Sequence, residues 1–197
     1  MKLIKTIILL LIISVSHGCI SKFNIKEYQK IVHQQNIDKL FTVLALKYKW
    51  LDIKLYNIVL GNLRLYKLER SEELKLINTI VALMDEESWH GKYFTGITCK
   101  VLLLRNGKYV YEYHRARGWM QVMIYNTTLK PHEYMKLYNP YINIYWGVNI
   151  FMKGYYKSGG NIQVTLKNYN SGMNSDHFNW KYINNIISNT KDVDELI

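Results

Sequence analysis

The chain has 197 residues, of which 49% are hydrophobic and 21% are charged, a balance that excludes an intrinsically disordered protein. Lysine and arginine outnumber aspartate and glutamate by 26 to 15, and the resulting formal net charge of +11 favours anionic partners. With only 2 prolines and 11 glycines, the composition excludes collagen-like and linker-type segments.

Residues 1–18 have the layout of a secretory signal peptide. Lys2 and Lys5 precede an almost wholly apolar run, Thr6–Val15, which ends in small and polar residues. The run is about half as long as a membrane-spanning helix, which needs roughly 20 apolar residues. We therefore predict cleavage between Gly18 and Cys19, with cleavage after Ser16 as a second possible position. A short buried N-terminal helix is the alternative to a signal peptide.

The segment Ser16–Cys19 resembles the lipobox of bacterial lipoproteins, in which a small residue precedes an invariant cysteine. The resemblance implies that the Cys19 thiol carries a diacylglycerol whose acyl chains hold the protein to a membrane. Because Ile20 rather than aspartate follows the cysteine, the resemblance also implies the outer membrane. Without lipidation the protein would be secreted, and Cys19 would be able to form a disulfide with Cys99 in an oxidising compartment.

Residues 19–88 are predicted to be helical. Asn24 and Glu27 resemble a helix cap with its capping-box partner, and apolar residues recur at helical spacing after them. The segment Leu51–Glu69 fits a helix or a strand. Ser71, followed by two glutamates, opens a clearer helix, because a hydroxyl cap and early carboxylates suit a helix N-terminus.

The next part of the chain has the signals of a β-hairpin. Asn106-Gly107 favours a tight turn with positive φ, and it lies between the runs Ile97–Arg105 and Lys108–His114. Trp119–Asn126 would add a third strand. An antiparallel meander is therefore predicted to begin after residue 88.

A long alternating run is predicted to continue the sheet. In Tyr141–Lys153, apolar residues alternate with tyrosine, asparagine and lysine, as in a strand packed on one face, and residues 162–166 repeat the alternation. A closing helix is predicted from Asp176 to Ser188. Helices followed by a meander indicate an α+β fold, similar in element order to cystatin-like or NTF2-like rolls, with residues 19–88 and 89–197 packed as one domain.

No catalytic motif stands out in the sequence, and no catalytic residue is predicted. The side chains available for acid–base or nucleophilic chemistry have no diagnostic spacing: Asp85, Glu86, Glu87, His90, Cys99, His114, Asp176 and His177. The two cysteines do not form a C-x-x-C pair, so neither a metal site nor a cofactor is predicted. The chain is predicted to be non-enzymatic, with a small enzyme on the same scaffold as an alternative.

Arginine and aromatic residues mark the predicted interaction surface. Arg115 and Arg117 precede Trp119, and guanidinium groups interleaved with aromatic rings bind phosphates or glycans. The alternative is a solvated edge whose charges prevent strand pairing. Tyr141 and Tyr145 would present a second aromatic face, unless the closing helix covers it.

These observations predict a lipid-anchored accessory or structural protein of the cell envelope, in a secretion or virulence assembly. It would contact a membrane through its lipid, and an anionic envelope surface or another envelope protein through its surface. Neither nucleic acid nor a small-molecule substrate is predicted as a partner. A soluble secreted binding or inhibitory protein is the alternative, in which Asn126 would be a glycosylation site if the host were eukaryotic or viral.

Overall fold

The structure is a computed structural model that describes residues 25–92, 94–105, 108–172, 176 and 178–194. Its elements in chain order are helices α1 (Ile25–Lys47), α2 (Ile53–Arg64) and α3 (Arg70–Glu87), strands β1 (Thr95–Arg105) and β2 (Lys108–Arg117), and helices α4 (Pro140–Lys157), α5 (Ile162–Ser171) and α6 (Trp180–Asp194). Two 3₁₀ segments, Ile124–Asn126 and Pro131–Tyr138, lie between β2 and α4. Among these described helices, none is long and apolar enough to cross a membrane.

The chain divides into two compact units, residues 1–35 and 36–197. In the first unit, the described residues form the beginning of α1, where Ile25, Tyr28 and Ile31 are exposed. The second unit contains the hydrophobic core and the remaining elements.

Helix α3 is the central element of the second unit. The ten consecutive residues Leu76–Asp85 are all buried, which is the pattern of a helix surrounded by other elements rather than one lying on a surface. Helices α2 and α6 pack directly on it, and α4 packs on α2 and α5. A polar contact adds to the apolar ones, because Asn78 Nδ2 in α3 donates a hydrogen bond to the Thr190 carbonyl in α6 at 3.0 Å.

The predicted β-hairpin is present, but the predicted meander is not. Strands β1 and β2 pair antiparallel, with Arg105 opposite Lys108 and Cys99 opposite His114. The predicted third strand, Trp119–Asn126, instead contains a tight loop and a 3₁₀ turn. In the described residues the sheet has two strands only.

The predicted long strand Tyr141–Lys153 is wrong, because these residues lie in helix α4. Asn139 caps this helix: its Oδ1 accepts hydrogen bonds from the backbone amides of Tyr141 and Ile142, at 2.9 and 3.5 Å, and Pro140 takes the first helical position. The alternating apolar residues form two rows spaced by four, a partly buried row of Ile142, Trp146 and Ile150 and a fully buried row of Ile144, Val148 and Met152. Alternation every second residue therefore also satisfied the spacing of a helix.

Residues 162–166, predicted as a returning strand, begin helix α5. Asn161 caps it by accepting a hydrogen bond from the Val164 amide at 3.1 Å. The α+β roll is therefore wrong, because two of its five predicted strands are helices and a third is a loop with a 3₁₀ turn. The described protein is a set of helices with a single β-hairpin.

Candidate active site

Glu87, the last residue of α3, is the centre of the candidate site. The Tyr182 hydroxyl donates a hydrogen bond to Glu87 Oε1 at 2.6 Å. Glu87 keeps part of its surface exposed, although protein atoms crowd its carboxyl group. This desolvation raises the pKa of Glu87 to about 7; the hydrogen bond from Tyr182 opposes the increase, and the charge of Glu86 adds to it. A carboxyl group with this pKa can both donate and accept a proton near neutral pH.

The contact between α3 and α6 positions Tyr182. Asn179 Oδ1 accepts a hydrogen bond from the Tyr182 amide at 3.2 Å, which anchors the first turn of α6. One turn further, Asn185 Nδ2 donates to Glu86 Oε1 at 3.4 Å. Burial raises the pKa of the Tyr182 hydroxyl well above its ordinary value, and the Glu87 charge contributes. Tyr182 therefore acts as a hydrogen-bond donor and not as a base.

Tyr169 in α5 is the second tyrosine near Glu87. Burial raises the pKa of its hydroxyl well above the ordinary value, and the charge of Glu87 adds to the increase. The Tyr169 hydroxyl donates a hydrogen bond to the Met120 carbonyl at 2.7 Å. Tyr169 thus binds the loop after β2 to helix α5, and its own hydroxyl lies within electrostatic reach of Glu87.

The loop Arg117–Val122 is held by hydrogen bonds between its two ends and by hydrogen bonds to Asn143 in α4. The Arg117 and Val122 backbones exchange two hydrogen bonds, of 3.1 and 2.9 Å. Buried Asn143 donates from Nδ2 to the Arg117 carbonyl at 2.6 Å and accepts at Oδ1 from the Met120 amide at 2.8 Å. Gly118 has a φ of +77°, and a Cβ there would lie 2.3 Å from Asn143 Cγ. Only glycine fits this position in the conformation that the loop adopts.

The chain turns sharply just after Glu87, through three consecutive residues in the left-handed region. The φ angles are +48° at Trp89, +59° at His90 and +74° at Gly91. Fully buried Ser88 stabilises the turn, because its hydroxyl donates to the Met84 carbonyl at 2.7 Å and accepts from the Gly91 amide at 3.0 Å. The turn is therefore tied to the last turn of α3.

Buried Asp85 connects this turn to an aromatic cluster. Its Oδ2 lies 2.7 Å from His90 Nδ1, and its Oδ1 accepts a hydrogen bond from Trp50 Nε1 at 2.6 Å. The Trp50 ring stacks on Trp119 with centroids 4.7 Å apart, and Phe94 meets Trp119 edge-on at 4.7 Å. Asp85 thus links the end of α3 to the loop after β2, which carries Trp119.

The structure brings four of the predicted chemical candidates together and leaves the others apart. Asp85, Glu86, Glu87 and His90 surround the end of α3, and Asp176 is exposed near the start of α6. The side chains of Cys99 and His114, and all of His177, Gly18 and Cys19, lie outside the described residues. Tyr169 and Tyr182 were absent from the candidates, because tyrosines are numerous in this chain and their contacts with the site are made across long sequence separations.

The residues of the predicted interaction surface do not share one sheet face. Arg115 is exposed, the Arg117 guanidinium carbon lies 4.4 Å from the Tyr134 ring centroid, and Trp119 packs in the aromatic cluster. Tyr141 and Tyr145 are exposed on helix α4. A binding role for these side chains stays a prediction.

Asn126 is exposed at the end of the first 3₁₀ segment, and its glycosylation also stays a prediction. Within the part of the chain that the structure describes, no group of three or more histidine, cysteine, aspartate or glutamate side chains could hold a metal ion.

Residues 65–189 match the family model of the transglycosylase SLT domain. No curated protein matches the chain, and no solved structure does. The matched span includes Glu87 and its hydrogen-bond donor Tyr182, as well as the bonded pair Tyr169 and Met120. The match overturns the prediction of a non-enzymatic accessory protein, because this is a family of enzymes. Since the model covers more than half of its length, the chain belongs to the transglycosylase SLT domain family.

Proposed function

We propose that this chain is a lytic transglycosylase that cleaves the glycan strands of peptidoglycan, with Glu87 as its acid–base catalyst. The observation that carries the proposal is the crowded Glu87 carboxyl at the end of α3, held by the Tyr182 hydroxyl within the span that matches the family. A transglycosylase passes the glycosyl group to a hydroxyl group instead of to water, so the site needs one group that can first give and then take a proton.

Glu87 has the properties for both steps. With a pKa of about 7, a substantial fraction is protonated at neutral pH, and this form donates its proton to the glycosidic oxygen as the bond from that oxygen to the sugar carbon breaks. The resulting carboxylate then accepts the proton of the acceptor hydroxyl as its oxygen bonds to the same carbon. The proton returns to Glu87, and no water is consumed. When the acceptor belongs to the cleaved sugar itself, the product is an anhydro sugar.

The neighbouring carboxyl groups of α3 are engaged elsewhere. Asp85 bonds to Trp50 and His90, and Glu86 accepts from Asn185. Glycosidases that use two carboxyl groups need the second within about 5–10 Å of the first and directed at the sugar. The partners of Asp85 and Glu86 direct these groups away from that role, which supports a mechanism with one catalytic carboxyl.

Tyr182 and the loop after β2 orient the reacting groups. The Tyr182 hydroxyl donates its hydrogen bond to Glu87 Oε1, so Oε2 is the oxygen that would face the glycosidic oxygen of the substrate. Tyr169 and Asn143 together hold the Met120 backbone from both sides, through its carbonyl and its amide. Because the Glu87 charge acts on Tyr169, we place these fixed backbone groups near the proton donor, where they would orient the substrate and lower the entropic cost of reaction.

Proteins of this family act on peptidoglycan in the periplasm or envelope. The net charge of +11 suits peptidoglycan, whose peptide stems carry carboxylates. Anchoring to the outer membrane through acylated Cys19 stays part of the proposal and rests on the segment Ser16–Cys19 alone. Its test is the mass of the mature N-terminal peptide from the native host, together with release of the Cys19→Ala variant from membranes.

The proposed activity is tested by incubating purified peptidoglycan sacculi with the full mature chain and identifying the released fragments by mass spectrometry. We expect fragments with anhydro ends, each lighter by one water molecule than the corresponding hydrolysis product. Glu87→Gln should reduce the rate at least about 100-fold, because a carboxamide neither donates nor accepts a proton as a general acid–base catalyst near neutral pH. Glu86→Gln is the matched control and should keep most of the activity. Reducing-end products, or an active Glu87→Gln variant, would refute the proposal.

A further inference from the structure

Trp89 lies two residues after Glu87 and is 63% exposed, so most of its surface is outside the hydrophobic core. Its φ of +48° is in a region where large side chains are rare, because Cβ crowds the neighbouring backbone. Glycine or asparagine would make the same turn with less strain. The indole thus stands on a strained turn while most of its surface faces solvent, where a ligand can reach it.

We propose that Trp89 is a substrate-binding residue whose indole stacks on a pyranose ring of the glycan strand beside the bond that Glu87 cleaves. This inference rests on the proposed function. Two residues of extended chain span at most about 7 Å, so the Cα atom of Trp89 lies within that distance of the Cα atom of Glu87. The occupant is a sugar because one face of a pyranose carries C–H groups, which the electron-rich face of an indole attracts.

The surroundings of Trp89 keep its backbone in the strained conformation. The Asp85 carbonyl accepts from the His90 amide at 2.8 Å, and the Ser88 carbonyl accepts from the Lys92 amide at 3.0 Å. The Ser88 hydroxyl and the Asp85 carboxylate bind the turn at Gly91 and His90. Strained backbone persists where neighbouring contacts over-determine it, as here, and such positions occur disproportionately at ligand-binding sites.

The backbone conformation provides a direct test, because binding and folding should respond in opposite directions. Trp89→Asn and Trp89→Gly remove the indole but suit a positive φ, so their Tm should equal or exceed that of the parent. In a Glu87→Gln background, which prevents digestion, both variants should bind sacculi about tenfold more weakly, the loss expected for one stacking contact. Trp89→Phe should retain most of the affinity, because it keeps an aromatic face. Trp180→Ala, at another exposed tryptophan, is the matched control.

Three outcomes would overturn the inference: unchanged binding in Trp89→Asn and Trp89→Gly, equal loss of binding in Trp180→Ala, or a fall in Tm that accompanies the loss of binding. The last result would assign the indole to the fold. Failure of the proposed function is a separate result, because it would appear as digestion of sacculi by Glu87→Gln whatever residue occupies position 89.

Discussion

Removing the Tyr182 hydroxyl should shift the pH dependence of catalysis in a predictable direction. The 2.6 Å hydrogen bond from Tyr182 stabilises the ionised form of Glu87 and so lowers its pKa. In Tyr182→Phe this contribution disappears while the ring remains. The pKa of Glu87 should therefore increase above its present value of about 7.

The size of the shift follows from the energy of the bond. A hydrogen bond to a charged group contributes about 1.5–3 kcal/mol, and about 1.4 kcal/mol corresponds to one pKa unit. Because Glu87 is partly exposed, water can replace some of the lost interaction. We therefore expect the pKa of Glu87 to increase by about one unit.

The assay is the rate of release of soluble fragments from sacculi, measured as kcat/KM from pH 5 to pH 10. A general acid is active when protonated, so the rate falls as pH increases through the pKa of Glu87. In Tyr182→Phe this basic limb should move to higher pH by about one unit, while the maximum rate also decreases because the carboxyl loses its orientation.

The chain contains a matched control for this substitution. The Tyr155 hydroxyl donates a hydrogen bond to Glu72 Oε1 at 2.7 Å, at the first turn of α3. Tyr155→Phe removes the same kind of bond at the opposite end of the helix and should leave the pH profile unchanged. A basic limb that stays in place in Tyr182→Phe, or one that moves equally in Tyr155→Phe, would refute the assignment of Glu87 as the general acid.

Three further predictions concern stability. Glu87 binds a proton more tightly in the folded than in the unfolded chain, so its ionisation destabilises the fold as pH increases from 4.5 through about 7. Glu87→Gln should therefore be more stable than the parent by about 1–3 kcal/mol at pH 8 and similar to it at pH 4. Chemical denaturation at both pH values measures this difference. Gly118→Ala places a Cβ against Asn143 at a positive φ and should reduce the free energy of unfolding by about 3 kcal/mol or more, whereas Gly159→Ala, also at a positive φ but with open space around it, should cost less. Asp85→Ala leaves Trp50 Nε1 without its acceptor and should reduce the free energy of unfolding by about 2–4 kcal/mol; an unchanged urea midpoint would contradict the role given to Asp85.

Helix α4 shows why a local pattern misled the fold prediction. Its apolar residues stand at every second position, as in a strand with one buried face. Every other one of them is four residues from the next, which is also the spacing of one helix face, so the same pattern fits a helix that is buried on two adjacent sides. The informative signal was Asn139-Pro140, a cap followed by the residue preferred at the first helical position. In β1 and β2 no such ambiguity arose, because a turn dipeptide separates the two alternating runs.

The candidate site was only half predictable for a different reason. Glu87 and its neighbours stand together in the sequence, and they were recognised as chemical candidates. What selects Glu87 among them is its contact with Tyr182, which follows it by 95 positions, and the desolvation caused by packed helices. Neither property follows from local spacing, because both arise only when α3 and α6 come together.

The complete burial of residues 76–85 has a consequence for how activity is lost. Backbone amides in such a segment exchange with solvent hydrogen only when the whole domain opens, whereas the ends of outer helices open by local fraying. Glu87 is attached directly to this slowest-exchanging segment. Under increasing urea we therefore expect enzymatic inactivation and deuterium uptake by the buried segment of α3 to coincide with the global unfolding transition.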